Sequence, residues 1–224
     1  MSGDPPERLV WYAAYGTNLR RERFDCYLAG GRPDGGLRTY VGCRDTRPPR
    51  AEIGLRFSGR IFFGGESTAW TGAMAFVDPV AADQVWARGY LLTVGQLSDI
   101  LAQEIRLPPG HDVDPQVVEH GGRHGLGPGR YDVLVPLGQR DGHPVVAITA
   151  SAPPDPAAPA QAYLWSMAAG LRDTFGHSAP EVAAYLWRAP GVALRWSREE
   201  LLEIAATSSR ATPARTGAAR RAER

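Results

Sequence analysis

The sequence predicts a single-domain α+β fold, and three observations carry that reading. β-rich segments fill the chain from residue 8 to residue 92 and return after residue 131. Helical patterns break them twice, after the first strand and near residue 94, and then gather at the C-terminal end. The regular strand–helix alternation of a doubly wound sheet is therefore missing. A chain of 224 residues, 43% of them hydrophobic, is also long enough to bury one sizeable core.

Taken in order, residues 1–7 read as a loose leader. Arg8–Tyr15 holds the apolar run Leu9-Val10-Trp11-Tyr12-Ala13-Ala14, long enough for a buried strand. Tyr15-Gly16-Thr17-Asn18 breaks it. A helix is expected over Leu19–Ala29, with Asn18 as N-cap and Gly30-Gly31 as the stop. Gly30–Leu37 is a connector. Tyr40–Cys43 and Ala51–Phe63 read as β-rich on either side of a turn at Arg47-Pro48-Pro49-Arg50. Trp70–Val77 and Gln84–Leu92 are further strands. Thr93 and Gln96 form a capping box that starts a helix at Val94 and carries it to Ile105. Arg106–Arg130 is a Gly-rich loop carrying His111, His120 and His124. Tyr131–Leu137 and Pro144–Ala150 alternate as strands around a turn at Asp141-Gly142. Ser151–Pro159 is a Pro/Ala linker. Ala160–Phe175 and Pro180–Trp187 are helices, with Gly176 as a stop and Ser178 as an N-cap, and a last helix starts near Ser197. From Ala206 onward small residues and arginine dominate, so the domain is expected over 8–205 and a disordered tail over 206–224.

Composition removes several classes of function. A net charge of +1 offers no overall field for nucleic acid or a membrane surface. No apolar run is long enough to span a bilayer, and MSGDPPERL lacks the basic and apolar regions of a signal peptide, so a cytoplasmic protein is expected. Cys26 and Cys43 are the only cysteines and form no CxxC pair, which supports neither a disulfide framework nor a cysteine zinc site. All 25 basic residues are arginine. That rules out a pyridoxal Schiff base, a Walker-type phosphate lysine and a lysine nucleophile.

Two stretches are candidates for chemistry. The turn from Tyr15 to Leu19 passes from strand to helix and leaves backbone N–H groups without internal partners. Such groups stabilise a carboxylate or a developing oxyanion, although a plain structural turn has the same geometry. In the helix from Val94, Leu97, Ile100, Leu101 and Ile105 fall on one stripe at about 100° per residue. Glu104 projects from the middle of that stripe. Desolvation raises the pKa of such a carboxyl and suits it to general acid/base work near neutrality. Spacing alone leaves equally open that Glu104 sits at a frayed helix end and reaches solvent or an arginine.

The string Ala14-Tyr15-Gly16-Thr17-Asn18-Leu19 resembles the AYGSN-L signature of γ-glutamylcyclotransferase-like proteins. The run Val85–Leu92 followed by Thr93–Glu104 is similar to that family's strand and helix ending in a catalytic glutamate. The resemblance extends from Arg8 to about Arg195. It implies a small, mixed, strongly curved β-barrel with surrounding helices. It also implies an enzyme that releases 5-oxoproline and a free amine from a γ-glutamyl amide by intramolecular aminolysis. Glu104 would be the general acid/base. Backbone N–H groups of Gly16, Thr17, Asn18 and Leu19 would hold the substrate's carboxylate and oxyanion. Tyr15 would pack on the substrate or donate from its hydroxyl, and Tyr131 would line the pocket. The implied partner is a small-molecule γ-glutamyl substrate, with no metal, nucleotide or redox cofactor. Thr17 stands where the family usually has Ser, and Ile105 where Gly usually follows the glutamate. The loop Arg106–Arg130 is a candidate lid for an unusual amine.

Two other classes of function compete. A metal-dependent amide hydrolase or deacetylase would use the loop His111–His124, with Asp112, Asp114, Glu119 and His120 as further ligands. Gly121-Gly122 between His120 and His124 argues against a helical ligand pair, and no HExxH is present. A non-catalytic ligand-binding module would keep the pocket without turnover. The oligomeric state and the released amine are left open by the sequence.

Overall fold

The computed structural model describes residues 7–67, 70–120, 124–125 and 129–208, without the side chains of residues 115, 119, 120, 124 and 125. In chain order, the first half forms β1 (Leu9–Ala14), α1 (Arg21–Ala29), β2 (Ala51–Ser58), β3 (Arg60–Ser67), β4 (Gly72–Asp78), β5 (Gln84–Thr93) and α2 (Val94–Glu104). The second half adds α3 (Pro115–His120), β6 (His124–Gly125), β7 (Val133–Arg140), β8 (His143–Thr149), α4 (Gln161–Phe175), α5 (Ala179–Trp187) and α6 (Arg198–Thr207). The fold is α+β.

Six strands form one mixed sheet in the order β2-β5-β1-β8-β7-β6, and β3-β4 is a separate hairpin. β1 is central. It runs antiparallel to β5, with Leu9 facing Thr93 and Ala14 facing Arg88, and parallel to β8, with Trp11 facing Val145. Its unbroken apolar run follows from burial on both faces. Trp11 and Ala13 point into a core shared with α4, α5, α6 and the hairpin, while Val10, Tyr12 and Ala14 point into a second core under α1 and α2.

Among the described residues no sheet closes into the barrel that the resemblance implies. β2 and β5 pair along their whole length, but the chain leaves β2 at Gly59, with φ at 143°, and turns away into the hairpin. The free edge of β4 then meets side chains instead of a strand. Ala75 N–H donates to the Tyr163 hydroxyl at 3.0 Å, and the Tyr131 hydroxyl donates to Ala75 O at 2.9 Å. Two residues on, the Thr149 hydroxyl takes the N–H of Val77 and donates to its carbonyl, each at 3.0 Å. Three side chains thus satisfy the edge that a closing strand would have used.

Local boundaries follow capping chemistry. Thr93–Gln96, Ser178–Glu181 and Ser197–Glu200 are complete capping boxes at the starts of α2, α5 and α6. Gly176 ends α4 in the left-handed region, with φ at 69°. Asp141 and Gly142, with φ at 51° and 78°, make the tight β7–β8 turn. Asn18 does not cap a helix. A short 3₁₀ turn over Thr17–Leu19 comes first, α1 starts only at Arg21, and the Asn18 amide donates to the Tyr12 hydroxyl at 3.4 Å. Tyr40–Cys43 contributes only a single bridge, Tyr40 to Gly31. α6 runs past the expected domain limit to Thr207, and the tail beyond Ser208 lies outside the described residues. No described helix is long and apolar enough to cross a membrane.

Candidate active site

A cavity of about 450 Å³ opens where β1 ends. Tyr15, Gly16, Thr17 and Asn18 line it from the turn after β1, Glu104 from the last residue of α2, and Tyr131 from the start of the β7 segment. Two stretches far apart in sequence therefore share one pocket.

The turn after β1 is held by its carbonyls. The Tyr90 hydroxyl donates to Asn18 O at 2.8 Å, the Ser166 hydroxyl to Thr17 O at 3.4 Å, and Leu19 N–H to Gly16 O at 3.0 Å. No hydrogen bond within the described residues engages the N–H of Gly16, Thr17 or Asn18. These are the orphan donors of a helical first turn. Leu19, expected as a fourth donor, is different. Its N–H is already used, its side chain is fully buried in the core, and it has no surface on the cavity.

The two tyrosines are also corrected in part. Tyr15 is buried, and its hydroxyl donates to Ile148 O at 2.5 Å, so it offers the cavity a ring face and not a free O–H. Tyr131 lines the pocket while its hydroxyl is held by Ala75 O.

Glu104 is half-buried, at the foot of a helix that is otherwise buried almost all round. Leu97, Ile100 and Leu101 form the apolar stripe, yet Ser98, Asp99 and Gln103 are equally enclosed. Each has work to do. Asp99 accepts from Arg44 N–H and Gly110 N–H, and Gln103 accepts from Gly42 N–H and donates to Tyr27 O. The segment after α2 leaves through Arg106, with φ at 64°. The Tyr27 hydroxyl donates to Glu104 Oε1 at 2.6 Å. Burial pushes the Glu104 carboxyl up. The Tyr27 hydrogen bond and the charges of Arg23 and Arg38 pull it partly back.

The reading of motifs missed Arg23, Tyr27, Arg38 and Tyr40, all of which line the cavity. A signal existed in α1. Phe24, Tyr27 and Leu28 form its buried face, and Arg23 sits on that face at only 3% exposure. An arginine inside an apolar stripe raises the same question as Glu104 does. Arg38 and Tyr40 come from an irregular segment without periodicity to read.

The histidine loop is described only in part. His111 is exposed, with Nδ1 at 3.3 Å from Pro108 O, and the side chains of Glu119, His120 and His124 lie outside the description. Among the described residues no group of three His, Cys, Asp or Glu side chains is placed to hold a metal ion.

No protein-family model matches the chain. A stretch of 99 residues is 41% identical to Histone deacetylase 5 of Arabidopsis thaliana, spanning 42% of this chain and only 15% of that protein. A solved structure of a gamma-glutamyl cyclotransferase is 17% identical, with a TM-score of 0.47, covering 89% of this chain and 99% of its own. YkqA from Bacillus subtilis is similar at 16% identity and a TM-score of 0.46, over 81% of this chain and 54% of its own.

Proposed function

We propose that the cavity converts a γ-glutamyl amide into 5-oxoproline and a free amine. One observation carries this reading: Glu104, a half-buried acid, lines the same cavity as Gly16, Thr17 and Asn18, whose N–H groups are unengaged among the described residues. The substrate's α-amine is already tethered to its γ-carbonyl, so the protein needs to orient and not to supply a nucleophile. Glu104 as carboxylate takes a proton from the α-ammonium. The freed amine attacks the γ-carbonyl, and its oxygen gains negative charge against the N–H groups of the turn. Glu104 returns the proton to the departing nitrogen as the amide C–N bond breaks. One C–N bond forms and one breaks. The ring nitrogen sheds a second proton as it becomes the lactam N–H, and the released amine takes it and leaves as an ammonium, so protons and charge balance and no oxidant, reductant or water is consumed.

Glu104→Gln keeps the size of the side chain and removes the proton carrier. Purified protein incubated with a panel of γ-glutamyl amines is expected to release 5-oxoproline, and the E104Q variant to lose at least about 10²-fold in rate with no loss of melting temperature. Full activity in E104Q removes this reading.

A second reading is a metal-dependent amide hydrolase or deacetylase using the loop His111–His124, and the Arabidopsis protein, of which the match spans 15%, is named a histone deacetylase. Stoichiometric metal in the purified protein, together with chelator-sensitive deacetylation, would favour it. Turnover of γ-glutamyl amines that is indifferent to EDTA would favour the first.

A further inference from the structure

Arg23 is a buried cation without an acidic partner. It is 3% exposed, lies on the cavity wall, and makes no ion pair among the described residues. Its Nε and Nη1 atoms have no hydrogen-bond partner among the described residues. Its Nη2 donates to the Tyr40 hydroxyl at 2.5 Å and, more weakly, to the Tyr27 hydroxyl at 3.5 Å. The guanidinium also lies over both rings, 4.7 Å from the centre of Tyr27 and 4.4 Å from that of Tyr40. Cation–π contact offsets only part of the cost of burying such a charge. The nearest countercharge lies one residue further on, because the single Tyr27 proton is given to Glu104 at 2.6 Å. A donor chain from cation through phenol to carboxylate polarises in one direction, each bond strengthening the next.

We propose that Arg23 is a positioning residue that holds and tunes the Glu104 carboxylate through the Tyr27 hydroxyl. Its charge offsets part of the upward push that burial gives the carboxyl, and the shared hydroxyl holds Oε1. Of the other groups around Glu104, Arg38 acts with the same sign. Tyr12, Tyr15, Tyr131 and Tyr163 have their hydroxyls pushed up by burial, so they stay neutral where the carboxyl titrates. Arg106 and Arg130 are exposed at the mouth. The tuning of catalysis rests on the cyclotransferase reading, but the electrostatic coupling does not.

The test separates the two. In full-length protein, the side-chain carboxyl of Glu104 is followed by carbon-13 NMR titration, assigned with E104Q. Removing the charge in Arg23→Met or the donor in Tyr27→Phe is expected to move the Glu104 midpoint up. Arg23→Lys keeps the charge and is expected to restore most of the wild-type midpoint. In turnover of a γ-glutamyl amide, the acid limb of the kcat/KM profile should move up with the midpoint. An unmoved midpoint in both R23M and Y27F overturns the proposal. So does an R23M variant whose KM rises about 10-fold or more while midpoint and acid limb stay put, which would make Arg23 an anion receptor for the substrate. Should R23M fail to fold, Y27F and R23K decide the same question. Shifted midpoints in a protein that turns over no γ-glutamyl amide would support the coupling and remove the cyclotransferase reading.

Discussion

Gly170 sits in the middle of α4, where alanine would ordinarily be favoured by about 1 kcal/mol. Here a Cβ would lie 2.4 Å from the carbonyl carbon of Leu19 and 2.6 Å from the nitrogen of Arg20. Both are backbone atoms, so no rotamer change relieves the clash, and either helix or turn must move. Overpacking of this kind costs about 1–3 kcal/mol and outweighs the gain in helix propensity. Gly170→Ala is therefore expected to lower the melting temperature and, by shifting Gly16–Asn18, to lower 5-oxoproline release more than stability alone accounts for. Calorimetry and kcat/KM on the same preparation check this; unchanged values for both would mean that α4 does not position the turn. Glu104 stood out as a candidate in the sequence only through the break it makes in an apolar stripe and the family resemblance together, since spacing alone left a frayed helix end equally open. Arg23 broke the same rule in α1 but stood in a run of charged residues, Arg20 to Arg23, that disguised the stripe. The partners of Leu19 and of the Tyr15 hydroxyl come from backbone geometry, which residue types do not encode.

At the scale of elements, the starts of α2, α5 and α6 were legible because each depends on residues three apart, Thr93–Gln96, Ser178–Glu181 and Ser197–Glu200. The β2–β3 boundary was not, because two strands joined by one glycine read as a single β-rich stretch through Ala51–Phe63. Nor could β-strand pattern show that β4 would be met by Tyr163, Tyr131 and Thr149 in place of a backbone ladder. Thr149 makes that replacement testable. It is 1% exposed, and its hydroxyl serves both the N–H and the carbonyl of Val77. Thr149→Val keeps the shape and leaves those groups unmet, at a cost of about 1–3 kcal/mol. Urea unfolding should show that loss, and hydrogen exchange should show faster opening of the Gly72–Asp78 hairpin strand. Wild-type exchange at Val77 would mean that the hairpin is held elsewhere.

At the scale of the whole molecule, the α+β class followed from where helices gather, while the open sheet and its separate hairpin required coordinates, since strand order leaves no mark in periodicity. The consequence of placing a carboxyl at the foot of a buried helix is also global. Glu104 in the folded protein has its pKa raised above the ordinary 4.5 because burial disfavours its charged form. Above that value the folded chain binds more protons than the unfolded chain, so the contribution of Glu104 to stability is full below about 4.5 and is lost as pH rises through the folded-state value. Asp45, Glu181 and Glu200 are held low by hydrogen bonds, those of Asp45 from Arg47 and those of the other two at their helix caps, and contribute in the opposite sense, in acid. Those contributions are common to wild type and E104Q and cancel in their difference. Melting temperatures of the two proteins compared across pH are therefore expected to diverge as pH rises, with E104Q gaining relative to wild type and the gap levelling off once Glu104 is fully ionised. A gap independent of pH would mean that Glu104 titrates alike in folded and unfolded chains, and that the pocket exacts no electrostatic cost for holding its acid. The predicted gap makes the residue costly to the fold at the pH where a general base must be ionised, which is the usual relation between an active site and the stability of the protein that carries it.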